Sequence, residues 1–126
     1  MSIKVKHIND QPDKGDGIRI LVEAFLPGGL DGYKTLSDLW PRELAPSERL
    51  VRMLKSTHKW EDFKKAYFKE LDERDIWIST ILQIARGGNI TLLHCSDDPD
   101  KNNAAVIREY MLAKLEQEKE LLQKAA

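Results

Sequence analysis

Two stretches of the chain concentrate residue types that can bind or react. The first is Phe25-Leu26-Pro27-Gly28-Gly29-Leu30-Asp31-Gly32, just beyond Glu23. Adjacent glycines after an apolar run let backbone N–H groups come close to a ligand, as phosphate-binding loops do. The stretch contains neither GxGxxG nor GxxxxGK[ST], and glycines of a tight turn would produce the same letters. The second stretch, His94-Cys95-Ser96-Asp97-Asp98, joins an imidazole, a thiol and two carboxylates, with Asn102 and Asn103 close behind.

A cysteine that attacks phosphate esters needs a thiolate, amides facing the phosphate and a cation at the sixth position after it. Here that position is Lys101, but Asp97, Asp98 and Asp100 intervene. These carboxylates repel a phosphate and raise the thiol pKa instead of lowering it. Cys95 therefore reads as a buried, inert cysteine at a strand end. The same carboxylates, with His94 and Glu23, could instead hold a divalent cation, since oxygen ligands suit magnesium or calcium and imidazole suits transition metals. The segment lacks a calcium-loop glycine and closing glutamate. Asn102 and Asn103 would face the same cleft and could bind a polar ligand. No cofactor and no specific metal can be named from these residues.

Other chemistry is sparse. Residues 42–69 carry eight basic and four acidic side chains, enough for a local positive face on two helices. Trp60, Phe63 and Tyr67 in the same stretch lie at core spacing, so they are not free to stack on bases. With a net charge of −1 and no reading motif, the chain argues against nucleic acid as a partner. His7 and His58 have no partner nearby in sequence and read as surface or cap residues. No GxSxG elbow and no zinc-ligand spacing occurs.

The elements that must position these groups follow from periodicity. Ile3, Val5 and Ile8 suggest a short strand with Lys4 and Lys6 on its other face. Residues 18–26, IRILVEAFL, are nearly continuous in apolar residues, the pattern of a strand buried on both faces. Ser47 suits an N-cap ahead of Leu50, Val51 and Leu54. Trp60, Phe63, Tyr67 and Leu71 form one stripe of a second helix. Asp75 would cap a third, with Ile78, Ile81, Leu82 and Ala85 inward and Gly87 as a left-handed stop. Residues 89–96, NITLLHCS, form a second buried strand. Asp98-Pro99 would then open a helix over about 100–124, facing inward with Ala104, Ile107, Met111, Leu115 and Leu122. Its charged last turns would project past the domain or form a homodimer with a second copy.

The expected fold is a small three-layer α/β sandwich, with a mostly parallel central sheet of about three strands and helices on both faces. The short connection of residues 9–17 is an obstacle to a parallel crossover, so the first strand could pair antiparallel at an edge. Ligands in such sheets bind beyond the carboxyl ends of the strands. That directs attention to Glu23, Pro27, Gly28, Gly29, His94, Cys95, Asp97, Asp98, Asn102 and Asn103.

Bulk properties agree with one domain over residues 1–126. The chain is 41% hydrophobic and 33% charged, which suits a folded core and not a disordered chain. A single cysteine excludes an internal disulfide and fits a reducing compartment. No apolar run is long enough for a signal peptide core or a membrane span, so the expected location is the cytoplasm.

The segments DLWPRELAPSERL, HKWEDFKKAYFKEL and ITLLHCSDDPDKNNAAVIREYM resemble the YeaO-like proteins of bacteria and archaea, catalogued as a domain of unknown function, number 488. The resemblance runs from about Ile3 to Met111. It implies a compact α/β domain with parallel strands and carries no established activity. Family members commonly read DRLWPRG after the second strand, whereas this chain has Ala24 and Gly28 where the two arginines would stand. At the other strand end, Asp97 and Lys101 replace a family lysine and histidine. An anion site held by those arginines would be lost here, and the cleft is more acidic. The resemblance thus favours a cation or a neutral polar ligand over a phosphate.

Overall fold

The computed structural model describes residues 1–29, 32 and 36–125. Three strands, β1 (Ile3–His7), β2 (Ile18–Leu21) and β3 (Ile90–His94), form one sheet in the order β1-β3-β2. Both outer strands run parallel to β3. The antiparallel alternative for β1 is thereby overturned. β1 and β2 never pair with each other, so residues 8–17 are not a crossover between neighbouring strands. They only return the chain to the sheet's starting end, within reach of ten residues at about 3.3 Å each.

Gly17 makes that return possible. Its φ is 63°, and a Cβ there would stand 1.9 Å from the Asn89 carbonyl oxygen. Only glycine tolerates both conditions.

The sheet alternates strictly. Ile3, Val5, Ile20, Val22, Ile90 and Leu92 share one face and pack against α1 (Glu48–Thr57), α2 (Trp60–Asp72), α3 (Asp75–Gly87) and α4 (Asn103–Ala125). All four α-helices contribute to this one core. The opposite face was expected to carry helices too; it is covered instead by a 3-10 turn, Lys14–Asp16, and by Leu26 and Trp40 over Ile8, Leu21 and Leu93. The α/β class and the three-stranded parallel sheet stand as expected.

The helical stripes are as read from spacing. Phe63, Tyr67 and Leu71 are buried on α2, and Ile78, Ile81, Leu82 and Ala85 on α3. Ser47 caps α1 by accepting from Leu50 N–H at 3.2 Å. His58 closes that helix in the left-handed region, φ 57°.

Five local expectations are corrected. Asp75 is the first residue of α3, and Arg74 precedes it as the cap position. Gly87 ends the helix without positive φ, and Gly88 follows in an extended conformation. The helix start expected at Asp98-Pro99 comes later, where Asn102 Oδ1 accepts from Ala105 N–H at 2.8 Å and α4 begins at Asn103. The strand expected over residues 18–26 stops at Leu21, because β3 itself ends at His94 and leaves nothing beyond Val22 to pair with. Phe25 is 77% exposed in consequence. On α4, Ala104, Ile107 and Met111 are buried and Leu115 is partly buried, but Leu122 is 73% exposed. No helix among the described residues is long and apolar enough to cross a membrane.

Candidate functional site

The carboxyl ends of the three strands bear two neighbouring polar clusters. The first surrounds Glu23. Its carboxylate accepts from Asn103 Nδ2, at the first turn of α4, and from the backbone N–H of Cys95. Its carbonyl accepts from Trp40 Nε1 at 2.6 Å. Burial pushes the carboxyl up to about 7, against the pull of those hydrogen bonds. Glu23, Cys95 and Asn103, all expected at one cleft beyond the strand ends, are in direct contact here. The arrangement ties β2, β3 and α4 to one another, and each polar atom named here has a protein partner.

Cys95 is half-buried. Burial, and then the charge of Glu23, push its thiol up to about 12. A thiol in that state carries no useful thiolate fraction near neutral pH.

The second cluster borders a groove, with His7 half-buried and His94 buried at 4% exposure. His7 and His94 are partners in the β1–β3 register, and their rings meet edge to face with centroids 5.4 Å apart. They line a groove of about 440 Å³ with Asn9, Asp10, Ser96, Asp97 and Pro99. Each ring is held by its own loop. His7 Nδ1 accepts from Asn9 N–H and His94 Nδ1 from Ser96 N–H, both at 3.1 Å. Burial, and then the neighbouring His7, lower the His94 pKa, while the carboxylates of Asp10 and Asp98 oppose the shift. The His94 ring is thus kept neutral near pH 7.

The other nominated residues lie around this groove or away from it. Asp97 is exposed on its rim. Asp98 is exposed and accepts from the backbone N–H of Asp100 and Lys101 at 2.8 and 3.0 Å, bonds that hold its carboxyl below the usual range. Asn102 is buried, with Nδ2 on the Asp98 carbonyl at 3.0 Å and Oδ1 engaged as the α4 cap. Pro27, Gly28 and Gly29 are exposed and line neither cluster, and a Cβ at either glycine would meet nothing within 4 Å. Leu30 and Asp31 of the same stretch lie outside the described residues.

His7, Asn9, Asp10 and Ser96 were not singled out from sequence. The available signal was that His7, like His94, ends an apolar strand. Only the register, set by residues far apart in the chain, puts the two rings side by side. Among the described residues, no three His, Cys, Asp or Glu side chains come together as metal ligands.

Fold and site define a small parallel α/β protein with a polar groove across its strand ends and, among the described residues, no activated nucleophile in it. The family model described as "Inactive DUF488-N3 subclade" matches residues 2–126, and the chain belongs to that family. Over 112 residues it is 27% identical to "Uncharacterized protein YeaO" of Escherichia coli strain K12, spanning 88% of this chain and 97% of that one. No solved structure matches.

Proposed function

We propose that the protein is a non-catalytic binding domain that holds a small polar ligand in the groove at the carboxyl ends of β1 and β3. The observation that carries this reading is the His7–His94 pair, two rings fixed by their own loops and facing an open groove. Polar groups converging at such a position are the usual site of ligands in parallel sheets. Two further observations support absence of catalysis: the family's description as inactive, and the Cys95 thiol held up to about 12. The resemblance adds that Ala24 and Gly28 stand where family members carry arginines. A divalent cation is the weaker choice of ligand. Glu23 and Asp98, which would have been ligands, are engaged by Asn103 and by backbone amides. On this reading the protein works in the cytoplasm, where a lone thiol stays reduced.

The test is a screen of uncharged polar fragments by amide chemical-shift mapping on the full chain. Expected are shifts confined to residues 7–10 and 94–99, absent in His7→Ala and His94→Ala. A screen in which nothing perturbs those residues would reject the reading.

One observation favours a second reading, self-association through α4. Leu121 and Leu122, 66% and 73% exposed, sit on its last turns beyond the Arg86–Glu118 ion pair that ties α4 to α3. Light scattering on the wild type and on Leu121→Ser/Leu122→Ser separates the readings. A dimer that becomes a monomer supports self-association, and a wild-type monomer rejects it.

A further inference from the structure

The inference here rests on the binding reading above and specifies the chemistry of the same groove. An imidazole that accepts a hydrogen bond at Nδ1 carries its proton on Nε2 when neutral. Both His7 and His94 are in that position, because the backbone N–H two residues ahead of each donates to Nδ1. Neither Nε2–H has a hydrogen-bond partner among the described residues. The groove is therefore lined by two donors of the same kind, on rings whose centroids are 5.4 Å apart.

This arrangement discriminates among ligand classes. A metal ion needs a free lone pair on nitrogen. Here the Nδ1 lone pairs are in use and the Nε2 atoms are protonated. An anion would suit two donors, but Asp97 and Asp10 stand on the same rim. Among the described residues that line the groove, the one ammonium, on Lys6, is already drawn to Asp16 at 3.0 Å and to the Gln11 carbonyl at 2.8 Å. An uncharged group with an acceptor oxygen meets no such opposition. Asp10 is occupied by the His7 backbone N–H at 3.0 Å. Asp97 makes no side-chain hydrogen bond among the described residues and can accept from a ligand N–H.

We propose that the groove takes an uncharged ligand carrying a carbonyl oxygen beside an N–H, the pattern of a carboxamide or a urea, with the oxygen received by the Nε2–H groups of His7 and His94 and the N–H by Asp97.

The experiment uses the full chain labelled with ¹⁵N in its histidine rings, at a pH where both are neutral. N-methylacetamide, acetate and zinc ion are titrated separately. Expected are Nδ1 unprotonated in both rings and a shift of both Nε2 signals with N-methylacetamide only. His94→Asn keeps an acceptor near the Nδ1 position and removes the Nε2 donor. It should weaken the amide by about tenfold, the scale of one hydrogen bond, with the backbone amide spectrum otherwise kept. His7→Asn gives the same reading should the first variant fail to fold. A proton found on Nδ1 of either ring overturns the proposal, as does a groove that responds to zinc or acetate and not to the amide. Either result leaves the groove a binding site of another kind. Silence of the groove towards all three probes, and towards the wider fragment screen, rejects the binding reading itself.

Discussion

On one face of the sheet, Ile3, Ile20, Val22, Ile90 and Leu92 lie against four helices in a continuous apolar core. On the other face, Lys4, Lys6 and Arg19 gather round the buried carboxylate of Asp16. The first face is held by area removed from water, which is nondirectional and shared among many side chains. The second is held by a few directed bonds. Asp16 accepts from Lys6 at about 3 Å on both oxygens, from Arg19, and from the backbone of Asp13 at 3.2 Å, while Thr91 Oγ1 donates to its carbonyl at 2.8 Å. One carboxylate thus fastens the return loop of residues 8–17 to the sheet. Damage to the apolar face should be graded, and damage to the charged face should be concentrated at a single residue.

The largest expected effect comes from Asp16→Ala. It strands three cations, two of them largely buried, and should destabilise the fold by about 3–5 kcal/mol. Denaturant unfolding measures this, and a loss below about 1 kcal/mol would mean that the charged face is ornamental to stability. Leu92→Ala, in the middle strand under the helices, should be next, at about 2–5 kcal/mol according to how far the core collapses into the space. An effect larger than that of Asp16→Ala would invert the comparison.

Acid should separate the faces further. Burial acting alone would raise the Asp16 carboxyl, but the bonds from Lys6, Asp13 and Arg19 outweigh it and hold the pKa below the ordinary 3.8. A depressed carboxyl stabilises the fold above its unfolded value and stops doing so as the pH falls through its folded value. The charged face should therefore loosen first in strong acid, measurable as early hydrogen exchange at residues 13–19. Glu23 has the opposite sign. Its carboxyl is raised from 4.5 to about 7, so its contribution is full below 4.5 and declines as the pH rises towards 7. Glu23→Gln should flatten the stability profile between those values, the smallest of these effects. An unchanged slope in that window would show that Glu23 ionises without penalty.

Most of the fold was legible because burial writes a period into the chain. The stripes of α2 and α3 and the Ser47 cap could be read from spacing, since each depends on residues within one or two turns. The ends of elements were harder. Residues 18–26 look like one long strand, yet Leu21 is the last strand residue because the partner strand is short. Asp98 looks like a helix cap and is one of two successive turn-formers, with Asn102 taking the cap itself. The site followed the same division. Glu23, Cys95 and Asn103 were singled out by their place after strands, while His7 was passed over because its neighbour is 87 positions away in the register His7↔His94. Local chemistry is written locally, and juxtaposition across a sheet is not.

The strand order has a consequence for how the chain comes into being. β3 lies between β1 and β2 and is the partner of both. Until Ile90–His94 has been synthesised, no two strands of this protein can hydrogen-bond to each other in the native way, although three helices' worth of sequence is already present. The nascent chain must wait as a helical intermediate in which the edges of β1 and β2 that will face β3 are unclaimed, and only the outer edge of β2 has its partner, at Leu39. A chain ended at Asn89 is expected to show helical circular dichroism and no cooperative unfolding transition. The late middle strand acts as a keystone, and the last quarter of the sequence decides when the first quarter folds.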